Sequence, residues 1–63
     1  MIDQNELRER TKEYIAASGV KKSTFANIIG FARENYYRWI KGDFDFGNEK
    51  AMRIDEHLRK VGY

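Results

Sequence analysis

Arg33, Asn35, Tyr37, Arg38 and Lys41 crowd into one short stretch of a 63-residue chain. Arginine offers a planar fork of donors, asparagine pairs a donor with an acceptor, and lysine carries a compact charge. Side chains of this kind grip anions and the polar edges of other molecules. They do not, in this pattern, break bonds. No nucleophile stands beside a base, no glycine-rich phosphate loop is present, and Glu34 and Asp55 are lone carboxylates without convergent partners. His57 has no visible partner for catalysis or for a metal. One histidine and no cysteine leave no zinc site of the usual ligand set. The expectation is a binding protein rather than an enzyme, with no cofactor and no metal.

Charge is unevenly spread. The net charge is +2, yet residues 1–19 sum to −1, residues 20–41 to +4 and residues 42–63 to −1. The excess therefore sits in the segment that holds the polar cluster, which points to an anionic partner. Nothing approaches the roughly 18 consecutive apolar residues of a membrane span, and the opening "MIDQNELRER" lacks an apolar signal core. The lack of cysteine fits a reducing cytoplasm. A chain this short forms one domain, residues 1–63, and buries only about 60% of its unfolded surface. Its four Tyr, four Phe and one Trp must supply much of the core.

Four helices are expected to position the cluster, over about 4–18, 22–29, 33–41 and 48–60. Asp3 and Glu6 are spaced like a capping box at the start of the first. Leu7, Thr11, Tyr14, Ile15 and Ser18 follow on one face, and Gly19 is placed to end it. Phe25, Ile28 and Ile29 form the apolar side of the second helix, which Gly30 breaks. Tyr36, Trp39 and Ile40 turn inward from the third, and Gly42 ends it. "DFDF" alternates like a strand but has no partner, so residues 43–47 read as a loop with Phe44 or Phe46 plugging the core. Ala51, Ile54, Leu58 and Val61 trace the stripe of the last helix, capped by Gly47 or Asn48. The fold class is all-α.

Within "STFANIIGFARENYYRWIKG" the large apolar residues fall at Phe25, Ile29, Phe31, Tyr36 and Trp39. Ala26 leaves room for a close helix approach, and Gly30 suits a turn that needs positive φ. This is the spacing of a DNA-binding helix-turn-helix. The stretch resembles the Cro/C1-type (XRE-like) repressors of phages and bacteria in Phe25–Ala26, in Ile29–Gly30–Phe31, in Tyr36 and in the "RWIKG" ending. Asn48 to Leu58 resembles that family's next helix. There are departures. Lys21 stands where a Ser or Thr cap is usual, leaving Ser23 as a displaced cap or the helix end uncapped. Ala32 replaces a hydroxyl residue at the start of the recognition helix, and Phe46 stands where proline is common before the fourth helix. The resemblance implies a small four-helix lambda-repressor-like domain, or a five-helix one where the family's fifth helix, often part of its dimer interface, is present. No such fifth helix is expected within residues 1–63.

The resemblance further implies that the third helix lies in the major groove of double-stranded operator DNA. Ala32, Arg33, Asn35, Tyr37 and Arg38 become the base-reading candidates. Arg33 or Arg38 suits a guanine, Asn35 an adenine edge, and Tyr37 a thymine methyl or a phosphate. Lys21, Lys22 and Ser23, at a helix start, become phosphate candidates together with Lys41. Each has a plainer competitor: Arg33 as ordinary surface charge, and Tyr37 as a packing residue. Tyr36 and Trp39 read as core. Phe44, Phe46 and Tyr63 read as plugs, with a dimer patch as the alternative. A recognition helix of three turns reads few base pairs, so a homodimer on a pseudo-palindrome is expected. The rival reading is a protein-interaction module, such as an antitoxin or an anti-repressor partner.

Overall fold

The computed structural model describes residues 2–63, and among these it contains four helices and no strand. They are α1 (Gln4–Ser18), α2 (Lys22–Ile29), α3 (Arg33–Lys41) and α4 (Asn48–Lys60). α1 begins because the Asp3 carboxylate accepts from the backbone N–H groups of Asn5 at 2.9 Å and Glu6 at 3.3 Å, two donors that a helix start leaves free. α2 stops at Gly30, which sits at φ 77°, a left-handed conformation that side chains with a Cβ rarely adopt. The Phe31 N–H then reaches back to the Ala26 carbonyl at 2.9 Å, closing the helix end. Gly42 closes α3 in the same way, at φ 90°, with the Asp43 N–H on the Arg38 carbonyl at 3.0 Å.

α1 packs on α4, and α2 packs on both α3 and α4. Between them Leu7, Phe25, Tyr36, Trp39, Ile54 and Leu58 lose all contact with solvent. The core is largely aromatic. Phe25 meets Tyr36 at 5.6 Å and Tyr14 at 5.7 Å between ring centroids. Trp39 stacks on Phe46 at 5.3 Å, and Phe46 meets Phe31 edge-on at 4.8 Å. Of the two loop phenylalanines it is Phe46 that plugs the core, while Phe44 stays half-buried.

Three expectations fail. Ile28 is 52% exposed. Ile28 and Ile29 stand about 100° apart on a helix, so a helix of two turns sends only one of them inward, and that is Ile29. Val61 is 38% exposed because α4 ends at Lys60. The chain then turns, the Tyr63 N–H bonds the Leu58 carbonyl at 2.7 Å, and the Tyr63 ring folds against Tyr14 at 5.7 Å. Ser18 is exposed, and the inner face of α1 carries Arg8 beside Leu7 and Thr11.

Arg8 is only 7% exposed. Its Nε donates to the Trp39 carbonyl, and its two terminal nitrogens reach Asn5 Oδ1 at 2.9 Å, the Phe44 carbonyl at 2.7 Å and Asp45 Oδ1 at 2.6 Å. The guanidinium also lies 5.4 Å from the Trp39 ring. Gln4 adds two bonds to the same region: Trp39 Nε1 donates to its Oε1 at 2.7 Å, and its Nε2 donates to the Phe46 carbonyl at 3.2 Å. α1 thus pins the end of α3 and the loop that follows it.

Candidate nucleic-acid interface

The candidate side chains belong to α2 and its N-cap Lys21, the three-residue turn 30–32, and α3. Phe25, Ala26, Ile29, Phe31, Tyr36 and Trp39 are all buried, which fixes the rotation of both helices about their axes. What remains outward follows from that phase. Ala32, Arg33, Asn35, Arg38 and Lys41 are exposed on or beside α3, and Lys21 and Lys22 are exposed at the start of α2. Tyr37 and Ser23 are half-buried. Arg38 precedes the fully buried Trp39 by one residue, and so points about 100° away from it.

Three of these side chains are brought together across the helices. Lys22, Tyr37, Ile40 and Lys41 line one open hollow of about 330 Å³. The hollow joins the first residue of α2 to the last turn of α3, and its two lysines flank a phenol. At the same end, the N-cap residue of α2, Lys21, makes no side-chain capping bond. Ser23 is therefore not a displaced cap, and the helix end stays open. The N-cap of α3, Ala32, likewise offers no side chain to its helix. Backbone N–H groups at both starts remain available, and the helix dipoles add a partial positive charge there. Glu34, in the first turn of α3, opposes that charge locally.

The ion pairs separate this region from the rest of the molecule. Four of the seven cations outside residues 20–41 are paired: Arg8 with Asp45, Arg10 with Asp55 at 2.6 Å, Lys12 with Glu9 and Arg59 with Asp55. Among the described residues none of Lys21, Lys22, Arg33, Arg38 or Lys41 has an anionic partner, although all five are exposed. Arg38 instead rests against a ring of the following loop, 5.3 Å from the centroid of Phe44.

Tyr36 and Tyr37 divide the aromatic roles. The Tyr36 ring is wholly buried and its hydroxyl has no hydrogen-bond partner. Burial, with the neighbouring Tyr37 phenol adding to it, pushes the Tyr36 hydroxyl pKa well above the ordinary tyrosine range. Tyr37, 6.0 Å away between ring centroids, keeps one side in solvent. It is the only aromatic of α3 with a face to offer a ligand. Charge and residue type mark most of these groups in the sequence. The contact of Arg38 with Phe44, and the placing of Lys22 and Lys41 on one hollow, carry no such signal, because both depend on how the helices and the loop after α3 pack.

No protein-family model, curated protein or solved structure matches the chain. No helix among the described residues is long and apolar enough to cross a membrane.

Proposed function

We propose that this chain is a cytoplasmic, sequence-specific DNA-binding transcription regulator of the Cro/C1 helix-turn-helix type. In this reading it is a repressor that binds a pseudo-palindromic operator as a homodimer, with α3 in the major groove. The observation that carries the reading is the set of five exposed cations on α2, its flank and α3 that have no anionic partner among the described residues, where four of the seven other cations are ion-paired. Exposed charge held free of internal partners is what neutralising phosphates requires. The polar residues interleaved with it supply base readout.

The roles divide by position. Lys22, Lys41 and the open start of α2 hold phosphates, with Lys21 and Ser23 alongside them. Those contacts set the register of the protein on the duplex and carry no sequence information. Arg33, Asn35 and Arg38 reach base edges, Tyr37 meets a thymine methyl or a phosphate, and Ala32 permits close approach at the helix start. One recognition helix reads too few base pairs to specify an operator, so two copies on two half-sites raise both affinity and specificity.

Selection of bound sequences from a random duplex pool tests this. Enriched palindromes of fixed spacing are expected. Arg38→Ala should then stay folded, lose affinity for the selected duplex and tolerate base changes at one position per half-site, a discrimination of about 1–3 kcal/mol. A protein-interaction module is the second reading, favoured by the exposure of Ile28 and Met52. Tight binding to a protein partner, with no enriched duplex and no effect of Arg38→Ala, would establish that reading in place of the first.

A further inference from the structure

The loop after α3 carries two phenylalanines at alternate positions, and they are placed differently. Phe46 is buried, stacked on Trp39 with 22° between ring planes. Phe44 is half-buried. Its ring meets Phe46 edge-on at 5.2 Å, and the Arg38 guanidinium carbon lies 5.3 Å from its centroid. We propose that Phe44 is a positioning residue for base recognition. Its ring holds the Arg38 guanidinium so that the edge donors are presented to one base pair in each half-site. This inference rests on the reading of Arg38 as a base contact, and deepens it.

The chemistry favours such a use. A guanidinium stacks by its face and donates by its edge, so the ring takes none of its hydrogen-bonding capacity. Among the described residues Arg38 makes no side-chain hydrogen bond or ion pair. Asp45, one residue beyond Phe44, is already engaged by Arg8 at 2.6 Å and does not draw those donors away. The platform itself is fixed. Arg8 holds the Phe44 carbonyl at 2.7 Å and Gln4 holds the Phe46 carbonyl at 3.2 Å, so both phenylalanines are tied to α1 through their backbones. A long, rotamer-rich side chain that is partly ordered beforehand loses less freedom on binding.

The test compares Phe44→Leu, which keeps apolar bulk against Phe46 but removes the ring, with Phe44→Tyr, which keeps the ring. In the free protein, the Arg38 δ-methylene protons should show an upfield ring-current shift in wild type and Phe44→Tyr, and lose it in Phe44→Leu. With the selected duplex, Phe44→Leu should lower discrimination at the Arg38 base pair by about two- to fivefold, the range of an exposed cation–π contact. Phe44→Tyr should restore it, and the dependence of affinity on salt should stay unchanged, because no phosphate contact is removed. Should Phe44→Leu not fold, Phe44→Met carries the same comparison. An enriched duplex whose base discrimination is unaltered in a folded Phe44→Leu overturns the positioning role alone. A pool with no enriched duplex overturns the DNA reading and this role with it, whatever the proton shifts show.

Discussion

Replacing Arg8 by alanine is expected to remove about 2–4 kcal/mol of stability, and the sources can be separated. The side chain donates to two backbone carbonyls, those of Trp39 and Phe44. The Trp39 carbonyl keeps a second partner, the Gly42 N–H at 2.9 Å. The Phe44 carbonyl has no other donor among the described residues. A bond from a charged donor is worth about 1.5–3 kcal/mol, and the partly buried Phe44 carbonyl recovers some of its loss from water. The ion pair with Asp45 adds little, because the Asp45 side chain is 67% exposed and water screens it. Asp45→Ala should therefore cost under about 1 kcal/mol. A domain of this length has roughly 3–9 kcal/mol in total, so Arg8→Ala should leave it close to unfolding. Urea titration followed by far-ultraviolet circular dichroism measures both variants, with equal slopes as the check that the two-state comparison is sound. If Asp45→Ala proves as damaging as Arg8→Ala, or Arg8→Ala stays within about 1 kcal/mol of wild type, the carbonyl clamp is not what holds the loop.

Gly30→Val should lower the melting temperature by about 8 °C or more. A Cβ at that site meets nothing within 4 Å, so the penalty is the backbone's own cost of about 1–2 kcal/mol for a left-handed residue, raised by β-branching; a melt within a degree or two of wild type would refute the assigned turn. Tyr36→Phe should be neutral or about 1 kcal/mol more stable, since it removes a buried hydroxyl without a partner. Because burial raises the folded-state pKa of Tyr36, this hydroxyl makes stability independent of pH below about pH 10, where unfolded tyrosine titrates, and lowers it as pH rises beyond that, since the unfolded chain ionises first. Denaturation at alkaline pH should show a shallower decline in the Tyr36→Phe variant. Lys22→Ala should weaken binding to all duplexes alike and lower the slope of log affinity against log salt by about one unit; a loss confined to one operator would contradict a phosphate role.

The helices were legible because local signals agree with one another. Asp3 marks a start, Gly19, Gly30 and Gly42 mark ends, and between them the apolar residues recur at helical spacing. The limits of that reading are as physical as its successes. Adjacent apolar residues such as Ile28 and Ile29 compete for one inner face, and only the neighbouring helices decide between them. Arg8 reads as a surface charge in any sequence scan, since arginine is almost never buried unless partnered. Two of its partners are backbone carbonyls more than thirty residues away, which no residue type announces. The alternation in "DFDF" suits a strand, yet the segment is a loop; that Phe46 is the one inside and that Phe44 lies beside Arg38 is decided by packing and not by the pattern. For the candidate interface, charge and residue type mark the participants, while their meeting across α2 and α3 is a product of tertiary packing.

Two arginines lead into the same loop from opposite sides, and their substitutions should fail in different ways. Arg8 reaches it from the buried face of α1 and holds its carbonyls. Arg38 reaches it from the exposed face of α3 and lies over Phe44. In an assay of DNA binding alone, loss of either would look the same. Arg8→Ala should lose binding in proportion to the unfolded fraction, so a stabilising solute such as sucrose should restore both helicity and affinity together. Arg38→Ala should keep its helicity, and no stabilising solute should return its base discrimination. The two effects meet in the loop itself. Asp45→Ala leaves the carbonyl clamp intact, because the Arg8 nitrogen that meets Asp45 also donates to the Phe44 carbonyl, so it should disturb neither fold nor base preference. A change of base preference in a fully folded Asp45→Ala would mean that the charge of the loop, and not its stacked ring, sets the direction of Arg38.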